Sequence, residues 1–203
     1  MDILNLRRNV ALVTKNAPDF IIEEAIVDAT RQLCVESEIW QAMVEIDTSA
    51  GDGEVSISAP SGASVVRVMW ATLGDRKLEA VGHAEYATTF TDTDRATPKY
   101  YYQVDSRNLV VFPTPSVGEV GQARVVCRLR DNTTNLPDDL YSLYKEALMF
   151  GALARVLASP GDFGNPSLAN QYEQRWLAAL NLAKGRATRS KDNTVLVATY
   201  GGY

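Results

Sequence analysis

The spacing of apolar residues changes along the chain, from helical to alternating and back to helical. In "APDFIIEEAIVDATRQLCVESEIWQ", Ile22, Ile26, Ala29, Leu33 and Trp40 fall on one stripe, which predicts a helix over 18–41. Asp19 after Pro18 reads as its N-cap, and Glu23 and Glu24 suit the positive end of the helix dipole. From 43 to 130 the pattern is strand-like, in runs broken by turns. "VEIDTSAGDGEVSISAP" turns at Gly51-Asp52-Gly53, "ASVVRVMWATLGDRKLEAV" at Gly74-Asp75, and "YYYQVDSRNLVVFP" from Asp105 to Asn108. "QARVVCRLR" adds a further strand. Short strands joined this way predict an antiparallel, sandwich-like region. "TTFTDTDRATPK" between them reads as a long exposed loop.

Helical spacing returns over 136–184. Leu140, Tyr144, Ala147, Leu148, Gly151 and Ala154 form one stripe, and Leu168, Tyr172, Trp176, Leu180 and Ala183 a second. Pro160-Gly161 stops the first helix, and Asn165 caps the second with Pro166 at its first position. Gly151, Ala152 and Ala154 are small enough to let the pair approach closely as an antiparallel hairpin. After the basic run "AKGRATRSK" the chain closes on "DNTVLVATYGGY". Thr194–Tyr200 is strand-like and apolar on both faces, so it needs cover on two sides. The fold class is therefore α+β: an N-terminal helix, a central antiparallel sandwich-like region, a C-terminal helical hairpin and an extended arm with a strand. One domain spans 1–191, the arm 192–203, and the basic run serves as the hinge between them.

Composition is that of an ordinary globular chain, 46% apolar and 22% charged, long enough at 203 residues for a real core. The net charge of −5 gives no support to a general nucleic-acid binder. Its distribution matters more. Residues 1–60 carry four basic and eleven acidic side chains (−7), whereas 184–203 carry Lys184, Arg186, Arg189 and Lys191 against Asp192 (+3). Such complementary ends suit contacts between copies as well as contacts with a foreign partner. Cys34 and Cys127 sit in apolar segments and read as core residues of a reducing compartment. No run suits a signal peptide or a membrane span, so a soluble protein made in a cytoplasm is expected.

Candidate chemistry is sparse. His83 is the only histidine, which leaves one candidate for a histidine-paired nucleophile. Asp92 and Asp94 in "TDTDR" could pair for acid–base work or a metal, but paired carboxylates on a Thr-rich loop are more often simply solvated. A hydrolase using Asp92/Asp94 or His83 is thus one alternative. "DTSAGDGE" does not match an EF-hand, and a hairpin turn explains it. Tyr100, Tyr101 and Tyr102 could stack on a sugar, which makes a carbohydrate- or ligand-binding module another alternative. No phosphate loop, dinucleotide fingerprint, nucleophile elbow or Cys-x-x-Cys is present. The expectation is a protein with no catalytic residue, metal or cofactor.

"LPDDLYSLYKEALMFGALARVLASPGDFGNPSLANQYEQRWLAAL" resembles the C-terminal helical pair of tailed-phage head-to-tail adaptor proteins, also called connector or tail-tube gatekeeper proteins. The matching features are the Leu136-Pro137 entry, the Gly151-Ala152-Leu153-Ala154 core, the Pro160 stop, the Asn165-Pro166 restart, and Tyr172 with Trp176. "ATPKYYYQVDSRNLVVFPTP" is similar to that family's strand, turn, strand and proline exit, with Thr97 where the family carries Gly. "EEAIVDATRQLCVESEIWQ" resembles its N-terminal helix.

The resemblance implies a structural virion protein at the head–tail junction, assembled in the host cytoplasm. It would form a ring, generally of twelve copies, between the portal and the tail nozzle or tube. DNA would pass through its channel without sequence-specific binding, and no membrane would be involved. In that setting Val195, Leu196, Val197, Tyr200 and Tyr203 are candidates for an inter-subunit arm. Glu23, Glu24 and Asp28 are candidates for a channel-facing acidic surface, and Arg186, Arg189 and Lys191 for a basic contact.

Overall fold

The computed structural model describes residues 1–49, 52–82 and 95–192, with side chains as far as Thr188. The chain opens with a 3₁₀ turn, Ile3–Leu6, whose first free amide is met by the Asp2 carboxylate accepting from Leu4 N–H at 2.9 Å. Helix α1 (Arg7–Thr14) follows directly. Sequence reasoning assigned no helix here, although Ile3, Leu6, Val10 and Thr14 already repeat at helical spacing and are all buried.

Helix α2 spans Asp19–Ser37, with Pro18 at the N-cap and Asp19 one residue inside it, where the carboxylate faces Arg7 at 3.4 Å. Ile22, Ile26, Ala29 and Leu33 are buried as expected. Trp40 is buried too but lies outside the helix: Glu38 adopts a left-handed conformation (φ 54°) and its N–H caps Cys34 O. The helix therefore stops short of residue 41.

Seven strands follow: β1 (Gln41–Thr48), β2 (Glu54–Ser56), β3 (Ala63–Leu73), β4 (Arg76–Ala80), β5 (Tyr100–Gln103), β6 (Asn108–Phe112) and β7 (Glu119–Leu129). They form one sheet in the order β1-β7-β3-β4-β5-β6-β2, antiparallel except for the parallel β4–β5 pair. The outermost strands, β1 and β2, return against each other, so the sheet is mixed and nearly closed like a barrel. This corrects the sandwich expectation. Irregular register in β3 opposite β7, at Val65/Arg67 and Val68/Trp70, bends these 11-residue strands. Curvature of that kind lets one sheet wrap its own core, with Ile46, Val65, Leu73, Leu78, Tyr101, Leu109, Val111 and Val125 inside.

The β3–β4 and β5–β6 hairpins form where predicted. Gly74 supplies φ 53° at the first, and the Asp105 carboxylate accepts from the N–H groups of Arg107 and Asn108 at the second. The Gly-Asp-Gly hairpin does not form. β1 pairs with β7 and β2 with β6, because Thr48 locks β1 to Glu119 by a reciprocal pair of hydrogen bonds (3.0 and 2.9 Å) and Val111 N–H donates to Gly53 O.

Helices α3 (Asp138–Ala158) and α4 (Pro166–Asp192) pack together, and α2 lies against both and against β7. The cap at Asn165 is as predicted, its side chain accepting from Leu168 N–H at 3.1 Å. Helix α4 runs eight residues beyond 184, through the basic run, so that run is helix where a hinge was expected. Leu180, Ala183 and Ala187 keep one face buried, and Lys184 is held by Glu36 at 2.9 Å.

Candidate functional site

The hydrolase candidates His83, Asp92 and Asp94 lie outside the described residues, as do the arm residues Val195, Leu196, Val197, Tyr200 and Tyr203. Among the described residues no group of three His, Cys, Asp or Glu could hold a metal ion, and no helix is long and apolar enough to cross a membrane. The tyrosine row is not a solvent-facing platform. Tyr101 points into the barrel at 3% exposure, while Tyr100 and Tyr102 are half-buried against Phe112, with ring centroids 5.5 and 6.4 Å away. Strand alternation alone produces this two-sided packing.

The two cysteines are buried among apolar side chains, one on α2 and one on β7. Burial, with a smaller contribution from the neighbouring Cys127, pushes the Cys34 thiol up to about 12; burial pushes Cys127 up to about 11. Neither forms a thiolate near neutral pH. A thiol-labelling assay at pH 8 should therefore record no modification of the folded chain and two equivalents after denaturation. Rapid labelling of the native protein would contradict this burial.

The three acidic candidates on α2, Glu23, Glu24 and Asp28, have different surroundings. Glu23 is taken by Arg7 at 2.7 Å. Glu24 and Asp28 are exposed and border a shallow pocket with Arg155, Val156 and Ser159. Arg155 itself lies over the Trp176 ring at 5.5 Å and donates to Gly151 O at 2.5 Å. Burial lowers its pKa, opposed by Glu173, Asp28 and Glu36. Of the basic candidates, Arg186 is exposed and lines a groove of about 310 Å³ with Arg124, Ile39, Leu140, Leu143 and Tyr144. Arg189 and Lys191 occupy the last turns of α4.

A further concavity was missed by sequence reasoning. It is a cleft of about 570 Å³ at one end of the barrel, carrying Arg107, Arg128 and Arg130 together with Ser58, Ser64, Ser106 and Asn132. Ile57 N–H donates to Arg107 O at 2.5 Å, bringing the end of β2 beside the β5–β6 turn. Ser64 faces Arg128 across β3–β7, and Arg130 N–H is tied to Gly62 O. None of these three arginines has an ion-pair partner among the described residues, whereas Arg7, Arg31, Arg67, Arg76 and Lys184 all do. Asp131, which lines the cleft, and Asp105, which the charge of Arg107 also stabilises, already have partners. Asp131 faces Arg31 at 3.2 Å, and Asp105 is held below the usual carboxylate range by the Arg107 backbone N–H and then by Asn108. Alternation in "QARVVCRLR" does signal the outward Arg124 and Arg128, but only the sheet order adds Arg107.

This cleft offers hydrogen-bond donors and positive charge, and the Asp131 carboxylate on its wall is held by Arg31. Its chemistry is recognition of acidic groups. Among curated proteins, none matches the sequence at a significant level. A family model described as SU10 adaptor protein does match it, over residues 1–198. The match runs from the 3₁₀ turn through the barrel and both C-terminal helices, in keeping with a structural role over an enzymatic one, and the chain belongs to the SU10 adaptor family, a family of phage head–tail adaptors found as structural components of the virion.

Proposed function

We propose that the protein forms a homo-oligomeric ring of about twelve copies between the portal and the tail nozzle or tube, with DNA leaving the head through its channel. The family match along nearly the whole chain is the observation that carries this reading. Charge separation along the chain supports contacts between copies. The exposed carboxylate of Glu24, with Asp28 3.9 Å from Arg31 beside it, suits a surface that repels phosphate and lets DNA slide. Glu23 contributes less, because Arg7 already neutralises it.

Residues 192–203 act as an arm that docks on a neighbouring subunit, the portal or the tail, burying Val195, Leu196 and Val197 at about 1.5–3 kcal/mol each. Arg186 is exposed on α4, and Arg189 and Lys191 lie in the last turns of the same helix, which runs to Asp192. Deletion of 192–203 should leave a soluble, cooperatively folding protein that no longer docks stably in particle assembly. Normal particles built with the truncated chain would remove the arm's role. The ring itself is tested by the mass of the assembly, alone and with the portal of the same phage. A strictly monomeric chain under both conditions would overturn it.

A further inference from the structure

Three arginines gather at one end of the barrel and three aspartates at the other. At one end is the cleft of Arg107, Arg128 and Arg130. At the other, Asp47 is the next-to-last residue of β1 and the β3–β4 turn presents Asp75, with Asp52 shortly before β2. All three aspartates are exposed, and none has an ion-pair partner among the described residues; the nearby Glu119 is taken by Arg76. Strand β7 connects the ends. Val120 is the register partner of Asp47, and Arg128, eight residues on, lies in the cleft roughly 26 Å away at 3.3 Å per residue.

We infer that the arginine cleft receives Asp47, Asp52 and Asp75 of a second copy of the chain. Three unpartnered guanidinium groups in one concavity repel each other, and carboxylates inserted among them remove that repulsion while accepting forked hydrogen bonds. Ser58, Ser64, Ser106 and Asn132 supply further donors around the rim. Donor and acceptor surfaces lie at opposite ends of the same chain, so the contact is head-to-tail: each copy uses its cleft once and its aspartate end once. Contacts of that type propagate until they close, which is what a ring requires, and the inference rests on the ring reading above. Duplex DNA fits less well, because the chain is acidic overall.

Sedimentation of the full chain at low ionic strength, alone and with the portal of the same phage, tests the contact with R128E/R130E and D47K/D75K. Each variant alone should lose self-association, with the dissociation constant raised about tenfold or more. An equimolar mixture should associate again with the two variants alternating, since the intact cleft of one meets the intact aspartates of the other and the reversed cleft meets the introduced lysines. The fourfold variant, with both ends reversed, should associate again. R128Q/R130Q, which removes charge without introducing repulsion, repeats the loss if the more drastic pair fails to fold. Variants that assemble like the native chain overturn the cleft contact and leave the ring standing; a native chain that never assembles overturns both. R128E/R130E assembling normally while losing retention of duplex DNA would reassign the cleft to nucleic acid and overturn the proposal.

Discussion

Trp176→Ala is expected to cost about 3–5 kcal/mol of folding stability, the range for deleting a fully buried indole. Trp176 is 1% exposed and is the largest fully buried side chain among the described residues. Its ring fills the space where three helices meet: a Cβ at Gly151 of α3 would stand 2.8 Å from Trp176 Cε3 and 3.0 Å from the Ala29 Cβ of α2. The Arg155 guanidinium covers the ring at 5.5 Å and would lose that face. Small residues line the gap, so neighbouring side chains cannot reach across to fill it. For a chain of this length the loss corresponds to a fall in Tm of roughly 6–20 °C. Chemical denaturation measures it directly. Leu177→Ala, one residue on and 40% exposed, serves as the control and should stay within about 0.5 kcal/mol. A Trp176→Ala loss below about 1 kcal/mol would mean that α4 is not locked to α2 and α3 through this ring.

The same residues explain what was legible in the sequence. Stripes such as Ile22-Ile26-Ala29-Leu33 and Trp176-Leu180-Ala183 are local patterns: one face of one helix, read without knowing its partner. Turns closed by their own residues were equally legible, since Asp105 caps the β5–β6 turn from within. The Gly-Asp-Gly segment misled because its signal is local whereas the pairing it precedes is not. Thr48 is committed to Glu119, and the partner of β2 lies beyond the β5–β6 turn. Trp40 kept its burial but not its helix, because the apolar period continued past the left-handed residue Glu38, which no hydrophobic pattern encodes. The extension of α4 through "AKGRATRSK" was hidden by charge and by Gly185. Burial of Ala187 and the Lys184–Glu36 pair maintain it. The cleft depends on three separate segments, so its parts were visible but not their convergence.

Gly121→Ala is expected to be more damaging than its single added methyl suggests. Gly121 sits in β7 between Ile46 of β1 and Leu73 of β3. A Cβ there would lie 1.9 Å from Thr72 O and 2.8 Å from the Leu73 Cα. Both are backbone atoms, so no side-chain rotation relieves the overlap; β3 must move away from β7 along the most extensive pairing in the sheet. The expected cost is at least about 3 kcal/mol, the upper end for overpacked sites, with loss of soluble expression where the remaining stability is small. Two other glycines complete a graded test. At Gly151 the clash is with the Trp176 ring edge and the Ala29 Cβ, so Gly151→Ala should be intermediate, its helix-propensity gain offset by displacement of the ring. At Gly185 of α4 nothing lies within 4 Å, and Gly185→Ala should stabilise by up to about 1 kcal/mol. Unfolding curves for the three variants should therefore order Gly185→Ala above native, then Gly151→Ala, then Gly121→Ala. A Gly121→Ala protein within about 1 kcal/mol of native would show that β3 and β7 can separate without cost, and the nearly closed barrel, with the arginine cleft built on its β3–β7 edge, would lose its physical basis.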